Sequence, residues 1–327
     1  MESKTKTTLR KFFLPFIFAL LGSSCIYNID LGIRGYAPLS EVTLLGEGKE
    51  KILLINISGV ISWEDIRESR GLFTVSEPSI VSRIREELDK AEKDQNIKAI
   101  VFKVSSPGGL VSASEAIYNE IKNFKEKKKI PIVAYISTLG VSGSYYVILP
   151  SDKIVANPAS TVGSIGVYAM KLNVEKLADK VGVEFEIVKG GAHKDMLLFH
   201  RKMTEEEREK FQKLIDYYYD IFKKRVVEWR GNKLKKPIDE IADGIVFSPE
   251  TALSLGLIDE IGDIYKAIDS AAKIAGLKSW KLISYTRKGQ NLPSIWTETY
   301  GKHDLSVIKN ILNYGEFLIL YIWPGEL

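Results

Sequence analysis

The feature that most restricts the fold is an alternation of short β-branched apolar runs with longer segments of helical spacing. "KILLINISGV" (51–60), "IKAIVFKV" (97–104) and "IPIVAYIS" (130–137) have strand length and composition. Between the first two, "SIVSRIREELDKAEKD" (79–94) sets Ile80, Ile84, Leu88 and Ala91 on one helical face. Another helix is expected from Ser112, with Glu115 three residues on in capping-box spacing. "DKIVANP" and "VEFEIV" (183–188) read as further strands, and "KLISYTR" as one more. Strands separated by helices predict an α/β fold with a largely parallel β-sheet and flanking helices.

The second half is richer in helix. Residues 204–231 open with Thr204 and Glu207, a second capping box, and end at Gly231. The glutamates at 205–207 suit a helix N-terminus, where the backbone dipole favours negative charge. "FSPETALSLGLIDEIGD" holds a short helix with Ser248 as cap and Pro249 in its first turn. In the C-terminal "LSVIKNILNYGEFLILYIWPGEL", Ile308, Ile311 and Leu312 suit one helical face. This tail is expected to pack on its own domain or a neighbouring subunit, with interfacial membrane contact as the alternative.

The N-terminus reads as an export segment. Lys4, Lys6, Arg10 and Lys11 precede the apolar "FFLPFIFALLGSSC". Without the first 24 residues the chain has 42 basic and 41 acidic residues, so its net charge of +4 leaves no nucleic-acid footprint. Cys25 is the only cysteine, which excludes an intramolecular disulfide or a multi-cysteine metal site. It is a lipidation candidate, although Gly22 stands where bacterial lipoprotein boxes usually carry a large apolar residue. Residues 12–29 also suffice for an uncleaved anchor, since spanning takes roughly 17–25 residues. A lipoprotein, an anchor and a cleaved signal peptide all place the remaining chain outside the cytoplasm. The expected organisation is a signal or anchor (1–25), a stalk (26–50), an α/β domain (51–287) and a C-terminal tail with an apolar helix (288–327).

Three stretches carry chemistry. "SSPGG" follows the strand at 97–104, and its adjacent glycines can turn backbone N–H groups toward a ligand at a strand's carboxyl end. Alone, it reads more simply as a plain turn. "LGVSGSYYVILP" places Ser142 between the next strand and a helix, as a nucleophile or as a simple N-cap. It does not match Gly-x-Ser-x-Gly, because Ser144 stands at the second glycine. "KGGAHKDM" (189–196) offers two bases for a serine, His193 and Lys194. A lysine in that role must be desolvated, so that its pKa falls from about 10.4 toward 7–8. Met196, Leu197, Leu198 and Phe199 lie next to it in sequence.

"SPGG", "VSGSYYVILPSDKIVANPASTVGSIGV", "GAHKD", "RKMTEEER" and "DGIVFSPETALSLGLIDEIGD" occur in that order and resemble the signal peptide peptidase A family of serine peptidases. The resemblance covers roughly residues 52–275. It implies a ClpP/crotonase-like fold, here with an N-terminal signal or anchor and a helical C-terminal part. It makes Ser142 the nucleophile, Lys194 the general base and Ser164 the residue that orients it, with Gly109 and Gly143 as oxyanion-hole donors. It implies a serine endopeptidase with a Ser-Lys dyad and no metal or cofactor, degrading cleaved signal peptides as a homo-oligomer. The expected location is the bacterial inner membrane, with the catalytic domain on its extracytoplasmic side. Two other readings are a crotonase-type acyl-CoA enzyme, disfavoured by the export segment, and a catalytically silent anchored scaffold.

Overall fold

A computed structural model describes residues 36–70, 73–297 and 318–324. By contact the chain divides into Met1–Ala37 and Pro38–Leu327, and the second unit carries every element named below. In chain order these are β1 (Ser40–Gly46), β2 (Glu50–Ser58), β3 (Ile66–Arg70), β4 (Phe73–Glu77), α1 (Ile80–Lys93), β5 (Ile97–Ser106), β6 (Gly108–Leu110) and α2 (Val111–Lys128). There follow β7 (Ile132–Val141), α3 (Gly143–Ile148), β8 (Lys153–Ala156), β9 (Thr161–Gly163), β10 (Tyr168–Met170), α4 (Glu175–Val181) and α5 (Glu205–Arg230). The remainder is β11 (Val246–Phe247), α6 (Pro249–Leu255), β12 (Glu260–Ile261), α7 (Ile264–Ile274), β13 (Trp280–Thr286) and β14 (Leu318–Ile322).

The central sheet runs β1-β13-β2-β5-β7-β8-β12, with β9 also on β7 and β11 on β9. Its body is parallel from β13 to β12, whereas β1 and β11 pair antiparallel. The strands are apolar along their length because both faces are covered. On one face Ile52, Leu54, Val101 and Val133 meet Ile264, Ile268 and Ala271 of α7. On the other, Leu53, Ile55, Ile100 and Phe102 pack with α1 and α2 through Ile84, Leu88, Ile117 and Ile121. A separate antiparallel sheet, β10-β14-β6, lies where β5 leaves the central sheet. Its middle strand is the C-terminal segment.

The structure corrects several expectations. The fold is mixed α/β with a partly parallel sheet, not the ClpP/crotonase-like one expected with an anchor and a helical C-terminal part. The end of the chain supplies a strand, β14, which satisfies its backbone between β6 and β10. The expected inner-membrane location finds no spanning segment among the described residues: none of their helices is long and apolar enough to cross a membrane. Residues 12–29 and Cys25, on which the anchor and lipidation readings fall, lie outside the described residues. "VEFEIV" forms no strand and is exposed throughout; its alternation is real, but no strand among the described residues pairs with it. Ser112 does not cap a helix: α2 begins at Val111 without a side-chain cap, and the Ser112 hydroxyl accepts from Trp63 Nε1 at 3.0 Å. Thr204 and Glu207 do form a capping box, and Ser248 caps α6 with Pro249 in its first turn.

Candidate active site

The carboxyl ends of β5 and β7 are neighbours, with Ser106 opposite Gly140. Each chain turns there without leaving the sheet edge, β5 into β6 and β7 into Ser142 and α3. Ser142 has φ 54° and ψ −125°, a backbone region that L-residues rarely occupy. Its N–H donates to the Gly163 carbonyl at 2.8 Å, and its carbonyl accepts from Tyr146 at 3.0 Å. These bonds hold the turn from both sides and leave Ser142 nearly buried. Ser164, also at positive φ (50°), is fixed by its N–H to the Ile245 carbonyl at 2.7 Å. Both serines line one pocket of about 510 Å³, together with Tyr168, Tyr219, Ile322 and Trp323.

Gly109 and Gly143 converge in the same place. Ile61 takes the Gly108 carbonyl and the Leu110 N–H, each at 2.8 Å, so the Gly109 N–H and C=O face the opposite side. On that side lies Tyr321 of β14, in antiparallel register with Gly109. Trp323 N–H donates to the Pro107 carbonyl at 2.7 Å, so ladder alternation makes Tyr321 and Gly109 the next hydrogen-bonded pair. A Cβ on Gly143 would lie 2.9 Å from the Tyr321 carbonyl oxygen and 3.2 Å from the Gly109 nitrogen. One on Gly108 would fall 2.0 Å from the same oxygen and 2.7 Å from the Gly143 nitrogen. The glycines therefore make room for a peptide carbonyl, and the chain's own C-terminal strand supplies one. The Tyr321 ring is buried against Tyr146 and Phe222, and its hydroxyl donates to the Tyr218 carbonyl at 2.7 Å.

Ser144, which breaks the Gly-x-Ser-x-Gly pattern, is fully buried and does not line the pocket. Its hydroxyl has the carbonyls of Ser106 and Val141 as acceptors, each at 2.7 Å, and so ties α3 to the ends of β5 and β7.

Among the described residues Lys194 makes no hydrogen bond to Ser142. It is exposed, is not among the pocket's lining residues, and its ammonium has no ion pair among the described residues. The chain that follows it is held. Asp195 and Glu207 are almost fully buried, and Arg201 bridges them. The Arg201 guanidinium holds both carboxyls well below the usual carboxylate range, helped by Lys189 at Asp195 and by the Thr204 N–H at Glu207. His193, the rival base, lies 3.4 Å from Glu207 and 2.9 Å from Lys210 Nζ, on the same exposed side. Burial lowers the pKa of Lys171, whose ammonium donates to the Met196 and Arg201 carbonyls. Sequence reading missed β14, the Tyr146–Phe222 pocket and the Arg201 bridge. The usable signal for the bridge was "RKMTEEER", where an arginine precedes a capping glutamate.

The family description "Peptidase family S49" matches residues 124–278. A Methanocaldococcus jannaschii protein named as a protease is 34% identical over 265 residues, 80% of this chain and 84% of its own length. An Enterococcus faecium protein named as a signal peptide peptidase SppA is 34% identical over 84% of this chain and 78% of its own length. The chloroplastic serine protease SPPA of Arabidopsis thaliana is 31% identical over 80% of this chain and 38% of its own length. With the first two relatives this similar over most of both chains, the protein belongs to peptidase family S49 and is a serine protease.

Proposed function

We propose that the protein cleaves extended apolar peptides, such as released signal peptides, through Ser142 and Lys194. The observation that carries this reading is the Tyr321 carbonyl held at Gly109 and Gly143, next to Ser142. A scissile carbonyl bound in that position would find two N–H donors already placed, and each such donor is worth roughly 2.7–4 kcal/mol to the transition state. The segment now in the groove, Leu318–Ile322, is itself extended and apolar, which indicates the substrate chemistry the groove accepts.

In the proposed reaction neutral Lys194 takes the Ser142 proton as Oγ attacks the carbonyl carbon. The oxyanion is held by Gly109 and Gly143. The ammonium then protonates the leaving amine, and the lysine activates the water that cleaves the acyl ester. Ser164, on the same pocket wall as Ser142, receives and orients the lysine amine.

Lys194 reaches Ser142 from a neighbouring copy of the chain. Two features support this: no lysine or histidine among the described residues lines the Ser142 pocket, and Lys194 lies in an apolar exposed segment. Val183, Phe185, Ile187, Leu198 and Phe199 are all exposed there, and Val188 is 95% exposed. Covering that surface would also desolvate Lys194, the change a neutral amine requires.

A fluorophosphonate probe tests the reading on the full chain, with peptide hydrolysis measured alongside. Labelling at Ser142 is expected, as is loss of at least ~10³-fold in kcat for Ser142→Ala and for Lys194→Ala. Label on another residue, or full activity in Lys194→Ala, would overturn it.

A further inference from the structure

We propose that Arg201 is a positioning residue for the reaction, clamping Asp195 to Glu207 and so fixing the segment that presents Lys194. The inference rests on the Ser142–Lys194 reading above. Residues 182–204 contain no helix or strand, so nothing periodic holds the lysine in place. The Arg201 guanidinium meets Asp195 through Nε to Oδ2 (2.9 Å) and Nη2 to Oδ1 (2.8 Å). It meets Glu207 through Nη1 to Oε2 and Nη2 to Oε1, both 2.8 Å. A planar fork bonded on two sides fixes orientation as well as distance, which a lysine's point charge cannot do.

Both ends of the clamp are anchored. Asp195 directly follows Lys194 in the chain. Glu207 sits in the first turn of α5, a 26-residue helix that buries Phe222, Val226 and Arg230 in the body of the protein. From the other side Lys171, next after β10, donates to the Met196 carbonyl at 2.7 Å and the Arg201 carbonyl at 2.8 Å. The Lys194 segment is thus tied both to the helix and to the sheet that forms the Ser142 groove.

The clamp also has an electrostatic consequence. An uncompensated carboxylate at Asp195 would favour the ammonium form of the adjacent lysine, the wrong form for a base. Arg201 and Lys189 engage that carboxylate, and Arg201 engages Glu207 as well. Position and protonation state are served by the same side chain.

The test is a double-mutant cycle on the full chain, using Arg201→Lys, Lys194→Ala and the pair. Peptide and activated-ester hydrolysis and thermal unfolding are measured for each. Misplacing a catalytic group by about 1 Å costs on the order of 10²-fold, so Arg201→Lys should lower kcat by about 10–100-fold with KM within about twofold. On the Lys194→Ala background the residual ester hydrolysis should not fall further, because a residue acting through the lysine loses its effect when the lysine is gone. If Arg201→Lys proves unstable, Glu207→Gln serves in its place, with a smaller kcat loss and the same non-additivity. Unchanged kcat, or equal loss on both backgrounds, overturns the positioning role and leaves the dyad standing. Full activity in Lys194→Ala overturns both.

Discussion

At Ser142 the backbone is held at φ 54° and ψ −125°, where a side chain costs roughly 1–3 kcal/mol and glycine costs little. The bonds to Gly163 and Tyr146 keep it there and present the hydroxyl at the sheet edge. Stability and activity therefore pull against each other at this one position. Ser142→Gly and Ser142→Ala should both be inactive, but the glycine variant should be more stable than the alanine variant by about 1–2 kcal/mol, because only it relieves the strain. Chemical denaturation of the two proteins side by side checks this. Equal midpoints would mean that the surrounding turn relaxes and no strain is stored. Ser144 is the contrasting case: a buried serine whose single hydroxyl proton goes to one of two backbone carbonyls, each 2.7 Å away, and which lies outside the pocket lining.

On the proposed function, β14 fills the groove that an extended substrate would occupy. Its backbone pairs with β6 and β10, and the Tyr321 ring lies between Tyr146 and Phe222. Truncating a buried aromatic ring costs about 3–5 kcal/mol, and here that loss falls on the docking of one short strand. Tyr321→Ala is therefore expected to speed fluorophosphonate labelling of Ser142 by at least ~10-fold and to lower KM for added peptide, as binding would no longer require displacing the strand. Unchanged labelling would show that β14 does not compete. This strand also marks the limit of what the sequence reveals. The segments giving β2, α1, β5 and β7 were legible because each is long enough to show its period and is buried inside the chain. The strands β6, β9, β11 and β12 have only two or three residues, too few for any period. "FLILYIW" and "VEFEIV" carry clear patterns, but what they pair with depends on tertiary neighbours: the first has two, and the second has none among the described residues. In the site, "SSPGG" and Ser142 stood out at strand ends, but by themselves they read as a turn and an N-cap, and the resemblance alone singled out Gly109 and Gly143. Arg201 was not legible, because its partners lie six residues away in each direction, a spacing that no helix or strand produces.

At the scale of the whole molecule, a serine at the sheet edge and a lysine on an exposed apolar segment are two halves of one proposed site. If they meet only across an interface, each working centre needs an intact Ser142 from one chain and an intact Lys194 from its neighbour. Ser142→Ala and Lys194→Ala chains are each inactive alone on this view, yet each retains what the other lacks. Co-expressed in equal amounts and randomly assembled, they should recover about a quarter of wild-type activity per chain. Half of the chains carry the serine, and half of the neighbours carry the lysine. The fraction holds for a two-fold pair or for a larger ring, because it depends only on adjacent chains. The recovered activity should fall on dilution below the assembly's dissociation constant, whereas a dyad closed within one chain is indifferent to concentration. Peptide hydrolysis by the mixture, followed across a dilution series with the oligomer measured by light scattering, separates the two arrangements. Recovery near a quarter that disappears with dissociation supports a shared site. No recovery in a demonstrably mixed oligomer would return Lys194 to its own chain and require the 182–204 segment to fold back onto Ser142 before catalysis.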